Sequence, residues 1–151
     1  MRPALQFGHA DAGVAYVDRP TAFGLVFRDG LLACVRVTRD APYFDLPGGA
    51  VDDDETEAQA LIREFVEETG LTVRPMERLC EAGQYFHKSD GSTVNNVGGI
   101  WTAEIQSHDP ASKVEDDHEL VWLTTEQAIA ELRHEAHAWA VAKWLRRPRS
   151  R

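Results

Sequence analysis

The sequence predicts an α+β domain in which helices pack on a mixed β-sheet. Three observations carry that expectation: apolar runs of strand type fill the first third, a segment of helical period ending in glycine lies at the centre, and further strand-like runs precede a helical end. With 43% hydrophobic residues in 151, one compact domain can bury a proper core. That domain is expected over residues 1–146, and the basic residues 147–151 read as a frayed tail without function.

The stretch TAFGLVFRDGLLACVRVTR has two apolar runs joined at Asp29-Gly30, a strong hairpin signal. YFDLPGG reads as a short strand interrupted by Pro47 and two glycines, before a loop rich in aspartate. From about Glu55 to Thr69 the period is helical, and Gly70 stands where a C-cap glycine belongs. Strands are expected at 71–75, 79–86, 97–105 and 119–123, with a polar loop at 88–96. The closing helix starts near Thr124 or Thr125, with Gln127 placed for a capping box, and breaks near His134 before ending near Arg146.

A formal net charge of −9 argues against nonspecific binding to nucleic acid or to an anionic membrane. An anionic substrate would need local arginines or metal ions to approach. Cys34 and Cys80 form no CxxC pair, which fits a reduced cytoplasmic setting. No run reaches transmembrane length and the N-terminus lacks a signal-like apolar stretch.

Eight carboxylates lie between Asp52 and Glu68, with Arg63 the one cation among them. On a helix, Ala58, Leu61, Ile62 and Phe65 share one face, which reads as the core stripe. Glu64, Glu67 and Glu68 share an adjacent face. Like charges at this spacing cost about 0.2–0.5 kcal/mol per pair. A divalent cation would reverse that sign, and oxygen donors suit Mg²⁺ or Mn²⁺. A solvated acidic face is the plain alternative.

Gly49, Glu55 and the run Arg63-Glu64-Phe65-Val66-Glu67-Glu68-Thr69-Gly70-Leu71 resemble the Nudix box, with every fixed position filled. The one departure is Phe65, where an aliphatic residue is usual. The resemblance, to the MutT-like Nudix hydrolases, implies an α/β/α sandwich around a mixed sheet. It implies a metal-dependent hydrolase that cleaves the pyrophosphate linkage of a nucleoside diphosphate derivative: a nucleoside triphosphate, an oxidised nucleotide or a dinucleoside polyphosphate. Carried over by position, Glu64, Glu67, Glu68 and the carbonyl of Gly48 would hold the metal. Arg63 would pair with carboxylates, Glu55 would shape the loop, and Gly48 and Gly49 would lie against the substrate's phosphates. Either Glu64 or Glu68 would serve as general base. Homodimers are frequent among such proteins, and a non-catalytic nucleotide-sensing module is the rival reading.

A later loop, SHDPASKVEDDHELVWL, supplies Glu115 as a supplementary catalytic or metal-binding carboxylate, with Asp116 and Asp117 as candidates to read a base edge. A solvated acidic loop explains these residues equally well. Tyr85, Phe86 and Trp101 are candidates to stack on a base, although most aromatics at strand spacing are core. Tyr85 also falls just short of the position where a tyrosine accompanies dinucleoside polyphosphate cleavage in the family. His134 and His137 have no companions to complete a zinc set and read as surface or helix-end histidines.

Overall fold

The computed structural model describes residues 5–39 and 41–148. In chain order the elements are β1 (Gln6–Phe7), β2 (Val17–Arg28), β3 (Leu31–Val37), β4 (Tyr43–Asp45), β5 (Gly48–Ala50), α1 (Glu57–Thr69), β6 (Leu71–His87), β7 (Thr93–His108), β8 (His118–Leu123), α2 (Thr125–Glu131) and α3 (Glu135–Leu145). Asp29 (φ 53°) and Gly30 (φ 79°) make the expected tight turn between β2 and β3.

The strand order is β1-β6-β7-β2-β3-β4, with β5 paired to β2 and β8 to β3. β2 runs parallel to β7 through Val26 and then turns into the antiparallel hairpin with β3, so the sheet is mixed. Alternation along β2 builds both layers. Phe23 and Leu25 join Leu132, Ala140 and Val141 on the side of α2 and α3. Ala22 and Val26 join Leu61 and Phe65 under α1. Between them Gly24 lets the helix approach: a Cβ there would lie 2.8 Å from a Phe65 ring carbon. Full burial of Phe65 contributes about 1.5–3 kcal/mol, and its truncation to alanine would cost about 3–5 kcal/mol.

Helix α1 begins two residues later than expected. Thr56 is its N-cap, and Thr56 and Gln59 exchange side-chain-to-backbone bonds in a capping box. It ends at Gly70 (φ 77°) as predicted. Its buried face is rotated from the predicted stripe: Ala60, Leu61, Phe65 and Thr69 are buried, whereas Ile62 is 37% exposed. The rotation carries Glu68 inward, to 7% exposure.

The two strands expected at 71–75 and 79–86 are one, β6, whose register slips between Pro75 and Glu77 and again between Arg78 and Cys80. Those bulges break the alternation that a sequence reading relies on. The polar loop is shorter than expected, because Asn95 and Asn96 are buried in β7. The capping box at Thr124 and the break before α3 stand where predicted. Among the described residues no helix is long and apolar enough to cross a membrane. Residues 149–151 of the expected tail lie outside the described residues.

Candidate active site

The glycine pair after Pro47 brings β5 against β2 and α1 together. Gly48 has φ 142°, and a Cβ there would meet the Ala22 carbonyl oxygen at 2.2 Å. Its N–H donates to Glu68 Oε1 at 3.0 Å. A Cβ on Gly49 would lie 2.8 Å from the Glu64 carboxyl carbon. Gly49 therefore admits the Glu64 carboxylate where a side chain would stand, and Gly48 admits the close approach of β2.

Arg63 binds the acidic cluster from the other side. It grips Glu55 with two parallel bonds of 2.7 and 2.8 Å, and donates to the Ala50 carbonyl at 3.0 Å. Its remaining nitrogen reaches Glu64 at 3.0 Å and Glu67 at 3.3 Å. The grip holds the Glu55 carboxyl at about 2, below its ordinary value, with the Asp52 N–H assisting. Glu68 receives no such cation. Burial drives its proton affinity well up; the Gly48 N–H opposes this, and the charges of Glu64, Asp45 and Glu115 add to it. Glu64 is raised too, first by burial, with Arg63 opposing.

The loop before β8 is hung on the end of α1. The N–H groups of Val114 and Glu115 both donate to the Glu67 carbonyl, at 2.9 and 3.0 Å, satisfying a helix-end acceptor. Glu115 thereby lines the same cleft as Glu64 and Glu68. His118 Nε2 stands 3.5 Å from Glu68 Oε2, and its Nδ1 is 2.7 Å from Asp117 Oδ1. Glu115, Asp117 and His118 offer ligand atoms within 4.8 Å of one another. A buried carboxylate with no arginine or lysine partner, flanked by further carboxylates and one imidazole, is a donor set that fits a hard divalent ion such as Mg²⁺ or Mn²⁺.

The cleft has a volume of about 240 Å³. Gly48, Gly49, Glu64, Glu68 and Glu115 line it, while Glu67 stands beside it on α1. Asp117 is engaged by Arg39 at 2.5 Å through one oxygen and meets His118 at 2.7 Å through the other. Asp116 lies on another surface, with His108 and Trp122. Tyr85 packs edge-on against Tyr16, and its neighbour Phe86 faces the cleft. Trp101 donates to Glu57 at 2.9 Å, where Arg78 also binds, anchoring the start of α1.

The cleft's other wall was not foreseen. Arg133 pairs with Asp45 at 2.8 Å and lies 3.7 Å over the Tyr43 ring. His134 stands at a helix end, as the N-cap of α3, but it and His137 are buried rather than on the surface, at 4% and 3% exposure. Burial depresses both, His134 to about 3, so they are neutral. Arg19, Arg39 and Lys88 also reach the cleft. Only the break between α2 and α3 hinted that Arg133 and His134 sit at a special place.

The family model of the NUDIX domain matches residues 17–145. A 49-residue stretch is 41% identical to a protein of Bacillus subtilis (strain 168) whose name assigns it provisionally as an 8-oxo-dGTP diphosphatase; it spans 32% of this chain and 33% of that protein. The fold is similar to a NUDIX hydrolase from Nitrosomonas europaea (TM-score 0.72, 19% identity, 85% of this chain and 88% of that one). It is similar also to a MutT protein from Methanosarcina mazei Go1 (TM-score 0.68, 20% identity, 89% and 97%). The family match extends from β2 to the last residue of α3 and takes in the glycine corner, the acidic helix and the loop hung on its end; the chain belongs to the NUDIX domain family.

Proposed function

We propose that the protein is a divalent-cation-dependent pyrophosphohydrolase acting on a nucleoside triphosphate, an oxidised nucleotide or a dinucleoside polyphosphate. The observation that carries this is Glu68: a carboxylate buried to 7% exposure, bonded to one backbone N–H, and surrounded by further acids. Glu64, Glu67 and Glu68, with the Gly48 carbonyl, would hold Mg²⁺, with Mn²⁺ the alternative. The ion supplies charge neutralisation of the diphosphate and a lowered pKa for an attacking water.

The chain's own groups do the rest. Glu68, or Glu64 beside it, would accept the proton of the water as its oxygen attacks phosphorus. The bridging P–O bond breaks and the phosphate leaving group departs as the anion. Arg63 keeps Glu64 and Glu67 at bonding distance from one guanidinium, which fixes the carboxylates before substrate arrives. Glu115, on its tethered loop, adds a further carboxylate at the rim. Gly48 and Gly49, which line the cleft, would lie against phosphate oxygens.

The test is phosphate and pyrophosphate release from a panel of 8-oxo-dGTP, common NTPs, ADP-ribose, NADH and diadenosine polyphosphates, with and without Mg²⁺. Metal-dependent turnover of one class is the expected result, and Glu68→Gln should reduce it roughly 10²–10⁴-fold while folding normally. Nucleotide binding without any turnover would move the protein to the sensing class.

A further inference from the structure

The cleft's cations are not equivalent. Arg39 is neutralised by Asp117 and Arg133 by Asp45. Arg19, half-buried on β2, donates instead to the neutral Asn96 amide oxygen at 3.2 Å, and among the described residues no carboxylate pairs with it. Asn96 is itself 6% exposed and lies directly opposite Arg19 in the β2–β7 register, so the arginine is held from behind. Lys88, on the turn after β6, comes only within 3.9 Å of Asp90, a carboxylate already bonded to the Ser92 N–H and hydroxyl. Arg19, with no carboxylate partner among the described residues, and Lys88, paired only at 3.9 Å, thus line a cleft whose carboxylates need a cation of their own.

We propose that Arg19 and Lys88 form a second anion subsite, which takes a substrate phosphate lying outside the scissile diphosphate. The proposal rests on the hydrolase reading in placing that diphosphate at the glutamates. Arg19 stands four residues before Phe23, the partner of Gly48, which is about 13 Å of strand. That separation is on the scale of a nucleotide rather than of one phosphate. The preferred substrate therefore carries phosphate beyond the diphosphate, either as a longer chain or as a separate ester on the nucleoside. A guanidinium held by a neutral amide keeps its full charge for that group, and a charge-assisted bond there favours the more phosphorylated ligand.

Calorimetric titration in EDTA, where metal-dependent turnover is absent, tests this with two ligand pairs. One pair is α,β-methylene-ATP against α,β-methylene-ADP; the other is NADPH against NADH. The wild type should bind the more phosphorylated member of at least one pair about tenfold more tightly or better. The pair that shows the ratio identifies the source of the phosphate. Arg19→Gln should bring the ratio within about twofold without weakening the less phosphorylated member. Lys88→Ala should shift it in the same direction, and Arg19→Lys should restore part of it, with unfolding midpoints confirming that each variant is folded. A ratio near one in both pairs, or an Arg19→Gln variant that weakens both members alike, overturns the subsite. Absence of turnover in the nucleotide panel with the ratio intact would remove the hydrolase reading and leave the subsite standing.

Discussion

Gly48 and Glu68, twenty residues apart in sequence, are joined by a 3.0 Å bond from the glycine N–H to Glu68 Oε1. The bond ties the corner before the acidic loop to the last turn of α1. It also gives Glu68 one neutral donor where a buried carboxylate calls for a cation. Arg63, the cation within reach of the cluster, is committed to Glu55, Glu64 and Glu67. Glu68 is therefore the buried carboxylate of the cluster that no arginine engages.

That concentration makes metal-free stability depend on pH. Burial raises the Glu68 pKa above its unfolded value of about 4.3, so the folded state binds a proton that the unfolded chain releases. Its contribution to stability is full below that value and is lost as pH rises toward the folded pKa. Glu68→Gln removes the penalty. In EDTA near neutral pH the variant should unfold at least about 1 kcal/mol later than wild type, or roughly 2–4 °C higher, and the two should converge below about pH 4. Denaturant and thermal unfolding across pH measure it. Coincident midpoints at neutral pH would mean that the Glu68 charge is already balanced.

Arg63 and Glu55 give the opposite sign. The pairing lowers the Glu55 carboxyl to about 2, so its stabilisation is present above about pH 4.3 and fades as pH falls toward 2. Arg63→Lys loses the parallel bonds to Glu55. The Glu55 carboxyl should then titrate closer to its ordinary value in a carbon-detected NMR titration, and kcat should fall as Glu64 and Glu67 lose their common donor. An unchanged Glu55 titration would contradict the assigned grip.

The adjacent glycines should separate folding from function. Gly48→Ala forces a side chain against the Ala22 carbonyl oxygen at positive φ and should cost about 3 kcal/mol or more. Gly49→Ala meets the movable end of the Glu64 side chain instead. It should leave the unfolding midpoint nearly unchanged while lowering kcat. Equal loss of stability in both variants would show that Glu64 is not free to yield.

Local signals in the sequence carried the frame. Asp29-Gly30, Gly70 and the Thr124–Gln127 box each specify a turn or a cap through their own backbone chemistry, and each stands where expected. Ile62 departs from the predicted α1 stripe, because hydrophobicity marks a core face only approximately when a glutamate is buried instead. β6 looked like two strands because its bulges disturb the period of two. The carboxylate wall of the cleft was legible, since its residues sit on one helix and one loop. The cationic wall was not: Arg19 and Arg133 enter from strands and helix junctions far apart in the chain, and nothing local marks them as neighbours of Glu68.

The most direct test is Mn²⁺ binding followed by electron paramagnetic resonance in wild type and Glu68→Gln, with no nucleotide present. Saturable binding by the wild type and at least about tenfold weaker binding by the variant, the loss of one charged ligand contact, are expected. Equal Mn²⁺ affinity in the two proteins would place the cation elsewhere and contradict the role given to the acidic helix.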